Sequence, residues 1–271
     1  MAGSSGTDVI EEHRIATPRG MLYAKSWRPR EDARDVPVVL FHDSLGCVEL
    51  WRDFPAALCE ATRRRVIAYD RLGFGRSDPR DDALSPRFVT DEPLFAMPLL
   101  CEQLSVESYV AFGHSVGGGM AIACAAAFPR EVAALVTESA QTFVEERTLA
   151  GIRAAKAQFA QDAQLSRLAK YHGAKARWVL DAWTETWLAP EFATWNLDAE
   201  LARVRCPVLA LHGDRDEYGS IAHPQRIGAR APGGAQIEIL ADGGHVPHRE
   251  RADVVLARVV RFLDGGTACG S

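Results

Sequence analysis

Gly113-His114-Ser115-Val116-Gly117-Gly118 sets a serine between glycines, directly after the apolar run Tyr109-Val110-Ala111-Phe112 and shortly before the Ala-rich stretch Met120 to Phe128. The first run is short and β-prone and the second is helix-prone, so Ser115 is expected on a sharp strand-to-helix turn, the sequence form of a nucleophile elbow. Such a turn strains the serine backbone and exposes its hydroxyl. Gly113 and Gly117 carry no Cβ and let strand and helix approach closely, while the amides that open the helix can face a developing negative charge.

A serine hydroxyl is a weak nucleophile near neutrality and needs a base, which in turn needs a group to orient it. Downstream, Val208-Leu209-Ala210-Leu211-His212 reads as an apolar strand ending in Gly213-Asp214-Arg215-Asp216-Glu217, a turn rich in carboxylates. One of these carboxylates is expected to hold the imidazole. Ile237 to Leu240 reads as a last strand, and Ala241-Asp242-Gly243-Gly244-His245 follows it, with glycines that let a loop histidine swing toward the strand ends. His245 is the expected general base.

With these residues in place, the chain from about Ile15 to Leu263 resembles a single-domain, lid-bearing α/β-hydrolase-fold protein, in which serine, acid and histidine follow in that order. The resemblance also rests on His42-Asp43-Ser44-Leu45-Gly46 with Trp51 after it, on Asp70-Arg71-Leu72-Gly73-Phe74-Gly75-Arg76-Ser77, and on Gly244-His245-Val246-Pro247-His248. It implies that the acid is Asp216, with Asp214 as the other candidate. It further implies that the oxyanion amides belong to Val116 and to Ser44, with Leu45 as the alternative. Asp43 departs from the pattern, which has glycine there. A carboxylate pointing into an oxyanion site would oppose an anionic transition state, so Asp43 is expected to turn away and bind neighbouring loop amides. The other reading is that it selects neutral or cationic substrates.

Composition agrees with one α/β unit plus an insertion: 271 residues, 47% hydrophobic, can bury a substantial core. A net charge of −5 and a pI near 5.9 provide no basic surface for nucleic acid or anionic membrane. Met1 to Gly6 lacks a basic and apolar leader pattern, and no apolar run approaches the roughly 20 residues that span a bilayer, so a cytoplasmic location is expected. Cys47, Cys59, Cys101, Cys124, Cys206 and Cys269 show no paired spacing and read as reduced thiols.

Along the chain, Ile10 to Ala16 and Met21 to Trp27 flank Thr17-Pro18-Arg19-Gly20 as a hairpin, and Val36 to Phe41 is a continuously apolar strand. Helices are expected over Trp51 to Thr62 and Glu92 to Leu104, and strands over Val66 to Tyr69 and Val132 to Thr137. This alternation implies a mainly parallel central sheet flanked by helices, with Ser115, Asp216 and His245 at the carboxyl ends of its strands. The core is assigned to residues 1–138 and 205–271. Residues 139–204 break the alternation with helical patterns over Thr148 to Gln161, Leu165 to His172 and Lys175 to Leu188, and read as a helical lid. In the last of these, Ala176, Val179, Leu180, Trp183 and Trp187 share one face, and the two tryptophans either line an acyl or aryl pocket or dock the lid. The Gly-rich tail 265–271 reads as disordered.

Of the remaining polar residues, His245 and His248 are poor grounds for a metal without a clustered third ligand. His114 is expected to bond behind the elbow, His212 to end its strand, and Arg71 and Arg76 to be solvated or salt-bridged loop residues, with anion binding as the other reading of these two arginines. The expected chemistry is hydrolysis of a small carboxylic ester or lactone through an acyl-serine, with no cofactor; the Ser44-Leu45-Gly46 loop resembles that of enol-lactone hydrolases. The alternatives are carbon–carbon hydrolysis of a ring-cleavage product, cofactor-free perhydrolase or lyase chemistry, and a hydrolase-like small-molecule receptor. The carbon–carbon hydrolases usually carry tryptophan after the base histidine, where this chain has Val246. A serine in place of an elbow aspartate argues against dehalogenase and epoxide-hydrolase chemistry.

Overall fold

The computed structural model describes residues 9–30 and 34–265. Met1 to Gly6, Cys269 and positions 266–271 of the expected tail lie outside the described residues. β1 (Val9–Thr17) and β2 (Gly20–Arg28) form the antiparallel hairpin, with Thr17 opposite Gly20. They continue into a sheet with β3 (Arg34–Phe41), β4 (Arg64–Tyr69), β5 (Tyr109–His114), β6 (Val132–Glu138), β7 (Val208–Gly213) and β8 (Ala235–Leu240). The sheet has eight strands in the order β1-β2-β4-β3-β5-β6-β7-β8; β2 runs antiparallel to both neighbours, and all pairs from β4 to β8 are parallel.

The apolar strands are continuous because the sheet is buried on both faces, and their period of two sorts side chains between two cores. Val39, Phe41, Ile67, Tyr69, Ala111, Leu135 and Ala210 face one core. Val38, Leu40, Val66, Ala68, Val110, Phe112, Val136 and Leu209 face the other. The first is closed by α2 (Phe88–Leu104), α3 (Val116–Ala127) and α8 (Ala222–Arg230), the second by α1 (Phe54–Thr62) and α10 (Ala252–Leu263). α3 is buried all round from Val116 to Ala126, which is why its sequence is apolar and small rather than amphipathic.

Several helix boundaries differ from expectation: the helices expected over Thr148 to Gln161 and Leu165 to His172 span Glu146–Gln158 and Asp162–His172, and two further differences have a local cause. The Trp51 to Thr62 segment is split into a 3₁₀ turn over Val48–Trp51 and α1, with Arg52 at φ 54° between them; this places Pro55 in the first turn of α1, where a missing N–H costs little. α2 starts at Phe88 rather than Glu92, because Phe88 and Val89 are buried against the first core and packing extends the helix by a turn.

Between β6 and β7 the chain forms α4 (Glu146–Gln158), α5 (Asp162–His172), α6 (Ala176–Leu188) and the short α7 (Asp198–Leu201), with a single isolated bridge, Phe143 to Asn196. Leu168, Ala176, Val179 and Leu180 build a small core of their own with Phe74, while Ile152, Trp187, Phe192 and Leu197 join the first core of the sheet. The short α9 (Pro247–Glu250) precedes α10. Among the described residues no helix is long and apolar enough to cross a membrane.

Candidate active site

Ser115 sits between β5 and α3 with φ 57° and ψ −125°, a conformation that costs a non-glycine residue about 1–3 kcal/mol. Its amide donates to the Glu138 carbonyl at 2.9 Å, and its carbonyl accepts the Gly118 amide at 2.9 Å, which pins the turn on both sides. A Cβ on Gly113 would meet the Gly117 carbonyl oxygen at 2.1 Å, and one on Gly117 would meet that of Phe41 at 2.1 Å. Both glycines are therefore required by backbone-to-backbone approach.

Folding brings the three expected residues together. His245 Nε2 lies 3.0 Å from Ser115 Oγ, and His245 Nδ1 lies 2.9 and 2.8 Å from the two carboxylate oxygens of Asp216. With Nδ1–H donating to Asp216, Nε2 is free to accept the serine proton. Asp216 is buried, and its Oδ1 also accepts the amides of Tyr218 (2.7 Å) and Gly219 (3.0 Å). Burial alone would raise the Asp216 pKa; the bond and charge of His245, with His212 and the Tyr218 amide, more than offset this and hold the carboxyl below its ordinary value. Asp214 is solvent-exposed.

The Asp43 carboxylate engages a neighbouring loop amide and His114. Its Oδ1 accepts the Leu45 amide at 3.0 Å, and its Oδ2 lies 3.4 Å from His114 Nδ1. Burial pushes its carboxyl up, but the His114 bond and charge outweigh this and hold it well below the carboxylate range. His114 Nε2–H donates to the His245 carbonyl at 2.8 Å, so both ring nitrogens face acceptors. Although burial pulls the His114 pKa down, Asp43, Glu138 and that carbonyl raise it overall. The Ser44 amide makes no hydrogen bond among the described residues, whereas the Leu45 amide is committed to Asp43. Val116 is the first residue of α3, where amides have no intrahelical acceptor.

His114, Glu138 and His248 bring potential metal-ligating atoms within 4.8 Å of one another, a grouping not apparent from the spacing of His245 and His248. Several of those atoms are engaged already, since His248 Nδ1 lies 2.5 Å from Glu138 Oε2 and His114 serves Asp43 and His245, whereas Glu138 Oε1 is buried with no hydrogen-bond partner among the described residues. His212 is the penultimate residue of β7, with Nε2–H donating to the Gly219 carbonyl at 3.1 Å. Arg76 is the expected salt-bridged loop residue, paired with Glu12 at 2.8 and 2.9 Å. Arg71 corrects its expectation: it is 3% exposed and pairs with no carboxylate within 4.0 Å among the described residues, because its side chain turns inward to His42 and the Asp43 carbonyl.

A cavity of about 150 Å³ opens on Ser115 and His245, with Asp43, Ser44 and Leu45 forming part of its wall. Trp183 and Trp187 line it together with Thr148 and Ile152 of α4. Trp187 also docks the insertion: it is 2% exposed and packs edge-on against Phe192 and Trp195. Thr148 and Ile152 were not foreseen as lining residues, nor were Gln141 and Tyr218, which stand next to the catalytic side chains. Gln141 Oε1 lies 3.2 Å from Ser115 Oγ, and the Tyr218 ring centroid lies 4.8 Å from that of His245. Gln141 follows β6 at its carboxyl end, the position in the sheet that could have signalled it.

Residues 36–193 match the model of the alpha/beta hydrolase fold family, and the chain belongs to that family. It is similar to the 2-hydroxymuconate semialdehyde hydrolase of Pseudomonas sp. (strain CF600), 38% identical over 101 residues that make up 37% of this chain and 35% of that protein. It is also similar to a bifunctional esterase/perhydrolase of Acinetobacter calcoaceticus, 31% identical over 120 residues, 43% of this chain and 40% of that one. The chain spans about a third of the length of the curated relatives it matches. Among solved structures, a serine hydrolase from the polyaromatic hydrocarbon-degrading bacterium Cycloclasticus zankles superposes with a TM-score of 0.79 at 17% identity, covering 96% of this chain and 100% of that one, a likeness of fold.

Proposed function

We propose that the protein is a serine hydrolase that cleaves a small carboxylic ester or lactone through an acyl-enzyme on Ser115. The observation that carries this reading is the continuous hydrogen-bonded run from Ser115 Oγ through His245 to the buried Asp216, opening on a cavity. His245 Nε2 takes the Ser115 proton as Oγ attacks the carbonyl carbon, and Asp216 holds the imidazole tautomer and stabilises its cation. The amides of Ser44 and Val116 receive the oxyanion; Ser44 is preferred to Leu45 because the Leu45 N–H already serves Asp43. The imidazolium returns its proton to the leaving oxygen. Water, deprotonated by His245, then attacks the acyl-serine carbonyl, and collapse restores Ser115 and releases the acid. Residues 139–204 act as the lid, and Trp183 and Trp187 bound the acyl site.

The similarity to a 2-hydroxymuconate semialdehyde hydrolase favours a second reading, carbon–carbon hydrolysis of a ring-cleavage product by the same three residues. Val246, where such hydrolases usually carry tryptophan, places it second. A fluorophosphonate probe is expected to label Ser115, and Ser115→Ala is expected to lower kcat on short aryl esters by about 10⁶-fold. Folded protein that the probe leaves unlabelled at position 115 overturns the proposal. Tight ligand binding that persists in Ser115→Ala without wild-type turnover marks a receptor instead.

A further inference from the structure

Arg71 is a buried cation that the chemistry above does not use. It follows β4, and its guanidinium stacks on the Phe74 ring with Cζ 4.0 Å from the centroid. Its Nε–H donates to His42 Nε2 at 3.3 Å and its Nη2–H to the Asp43 carbonyl at 2.8 Å. A guanidinium offers five N–H donors, and these bonds leave part of that fork unspent. Neither partner carries negative charge: burial keeps the His42 pKa well below the ordinary histidine value, and the other partner is a peptide carbonyl. Glu92 and Asp43 offset its charge only from beyond 4.0 Å, so among the described residues no carboxylate engages the fork directly, and a buried cation is costly unless an anion comes close.

The space around Arg71 adjoins the catalytic cavity across shared walls. A gap of about 10 Å³ shares Ser44, Trp183 and Trp187 with that cavity, and its wall includes Arg71. The same gap shares Arg71, Phe74, Leu84 and Phe88 with a larger cavity of about 220 Å³. The other charges of this larger cavity are mostly matched: Asp82 pairs with Arg19 and Arg80, and Asp91 with Arg87. Glu92 accepts the Tyr69 hydroxyl at 3.3 Å; burial raises its pKa, and the charge of Arg71 pulls it part of the way back down. Trp187, on the wall of the gap, has a buried indole N–H without an acceptor among the described residues.

We propose that Arg71 anchors a carboxylate of the substrate, so that the preferred esters or lactones carry an anionic group at the far end of an apolar acyl chain that passes Trp183 and Trp187 to reach the guanidinium. This specificity rests on the hydrolase reading of Ser115. It is tested with p-nitrophenyl hemiesters of dicarboxylic acids of increasing chain length, each against the ester of the length-matched monocarboxylic acid. For at least one length the hemiester is expected to exceed its neutral counterpart in kcat/KM by about ten-fold or more, the scale of a charge-assisted hydrogen bond. Arg71→Gln is expected to abolish the preference, and Arg71→Lys to keep part of it. Because Arg71 also supports the His42–Asp43 loop, two further measurements keep the proposal exposed to failure. Leu84→Trp, which narrows the passage with the arginine intact, is expected to erase the preference, and the free dicarboxylate of the optimal length is expected to inhibit neutral-ester turnover competitively in the wild type. Turnover of neutral esters with no hemiester preference at any length, or a preference that persists in Arg71→Gln, overturns the Arg71 assignment and leaves the hydrolase standing. Failure to turn over either series, with Ser115 unlabelled by fluorophosphonate, overturns both.

Discussion

At the scale of single residues, the sharpest choice is between Asp214 and Asp216, two residues apart on one turn. Only Asp216 is buried, and only it reaches His245. Asp216→Asn is therefore expected to lower kcat by about 10⁴-fold, as loss of the orienting carboxylate does in serine hydrolases, and Asp214→Asn to leave it within about threefold. Steady-state kinetics on both variants decide, and the opposite ranking overturns the assignment. The pairing of Asp43 with His114 has a consequence for pH. The folded His114 pKa is raised, so its stabilisation is complete below the unfolded value near about 6.5 and is lost as pH rises through the folded value. The folded Asp43 pKa is depressed, so its contribution is present above about 3.9 and is lost as pH falls. The pair stabilises most between those values. In Asp43→Asn the fall in Tm between about pH 6.5 and pH 9 is expected to be shallower than in the wild type, as measured by thermal denaturation; an unchanged slope contradicts it. Nothing local to Asp43 identifies His114 as its partner, because the two meet only where β3 and β5 lie side by side in the sheet.

At the scale of elements, the strand-turn-helix around Ser115 was legible because a short β-prone run, two glycines and a small-residue helix all specify the same turn. Helix boundaries were less so, since Phe88 and Val89 become helical through burial and not through local propensity. α6 presents two tryptophans on one face, with different surroundings. Trp187 is enclosed by Phe192 and Trp195, so Trp187→Ala is expected to destabilise the protein by about 3–5 kcal/mol. Trp183 is only partly buried and stands 6.1 Å from the Tyr218 ring, so Trp183→Ala is expected to raise KM with a smaller loss of stability. Chemical denaturation and steady-state kinetics on the two variants separate these outcomes, and equal effects on both quantities contradict the division.

At the scale of the whole molecule, the insertion is tied to the turn that carries Asp216. Glu145, which precedes α4, accepts the Ser220 amide at 2.6 Å, the Ser220 hydroxyl at 2.8 Å and His223 Nε2–H at 3.1 Å. Arg147 and Thr148 donate to the carbonyls of Asp216 and Tyr218. Burial raises the Glu145 pKa, but the His223 and Ser220 bonds prevail and bring it down to about 2. Glu145→Ala strands these donors and is expected to cost about 1–3 kcal/mol and to speed amide hydrogen exchange over residues 216–220. Unchanged exchange there would show that the insertion and the acid turn move independently.

The sequence by itself determined the alternation of strands and helices, the burial of the sheet on both faces and the turn at Ser115, because period, propensity and the absence of a Cβ act within a few residues along the chain. Only the tertiary structure decided that Arg71 is buried with no carboxylate within 4.0 Å among the described residues, that Gln141 and Tyr218 border the serine, and that Asp43 faces His114. Those contacts join residues far apart in the chain, and which of them meet depends on strand order and loop packing, which no local pattern encodes.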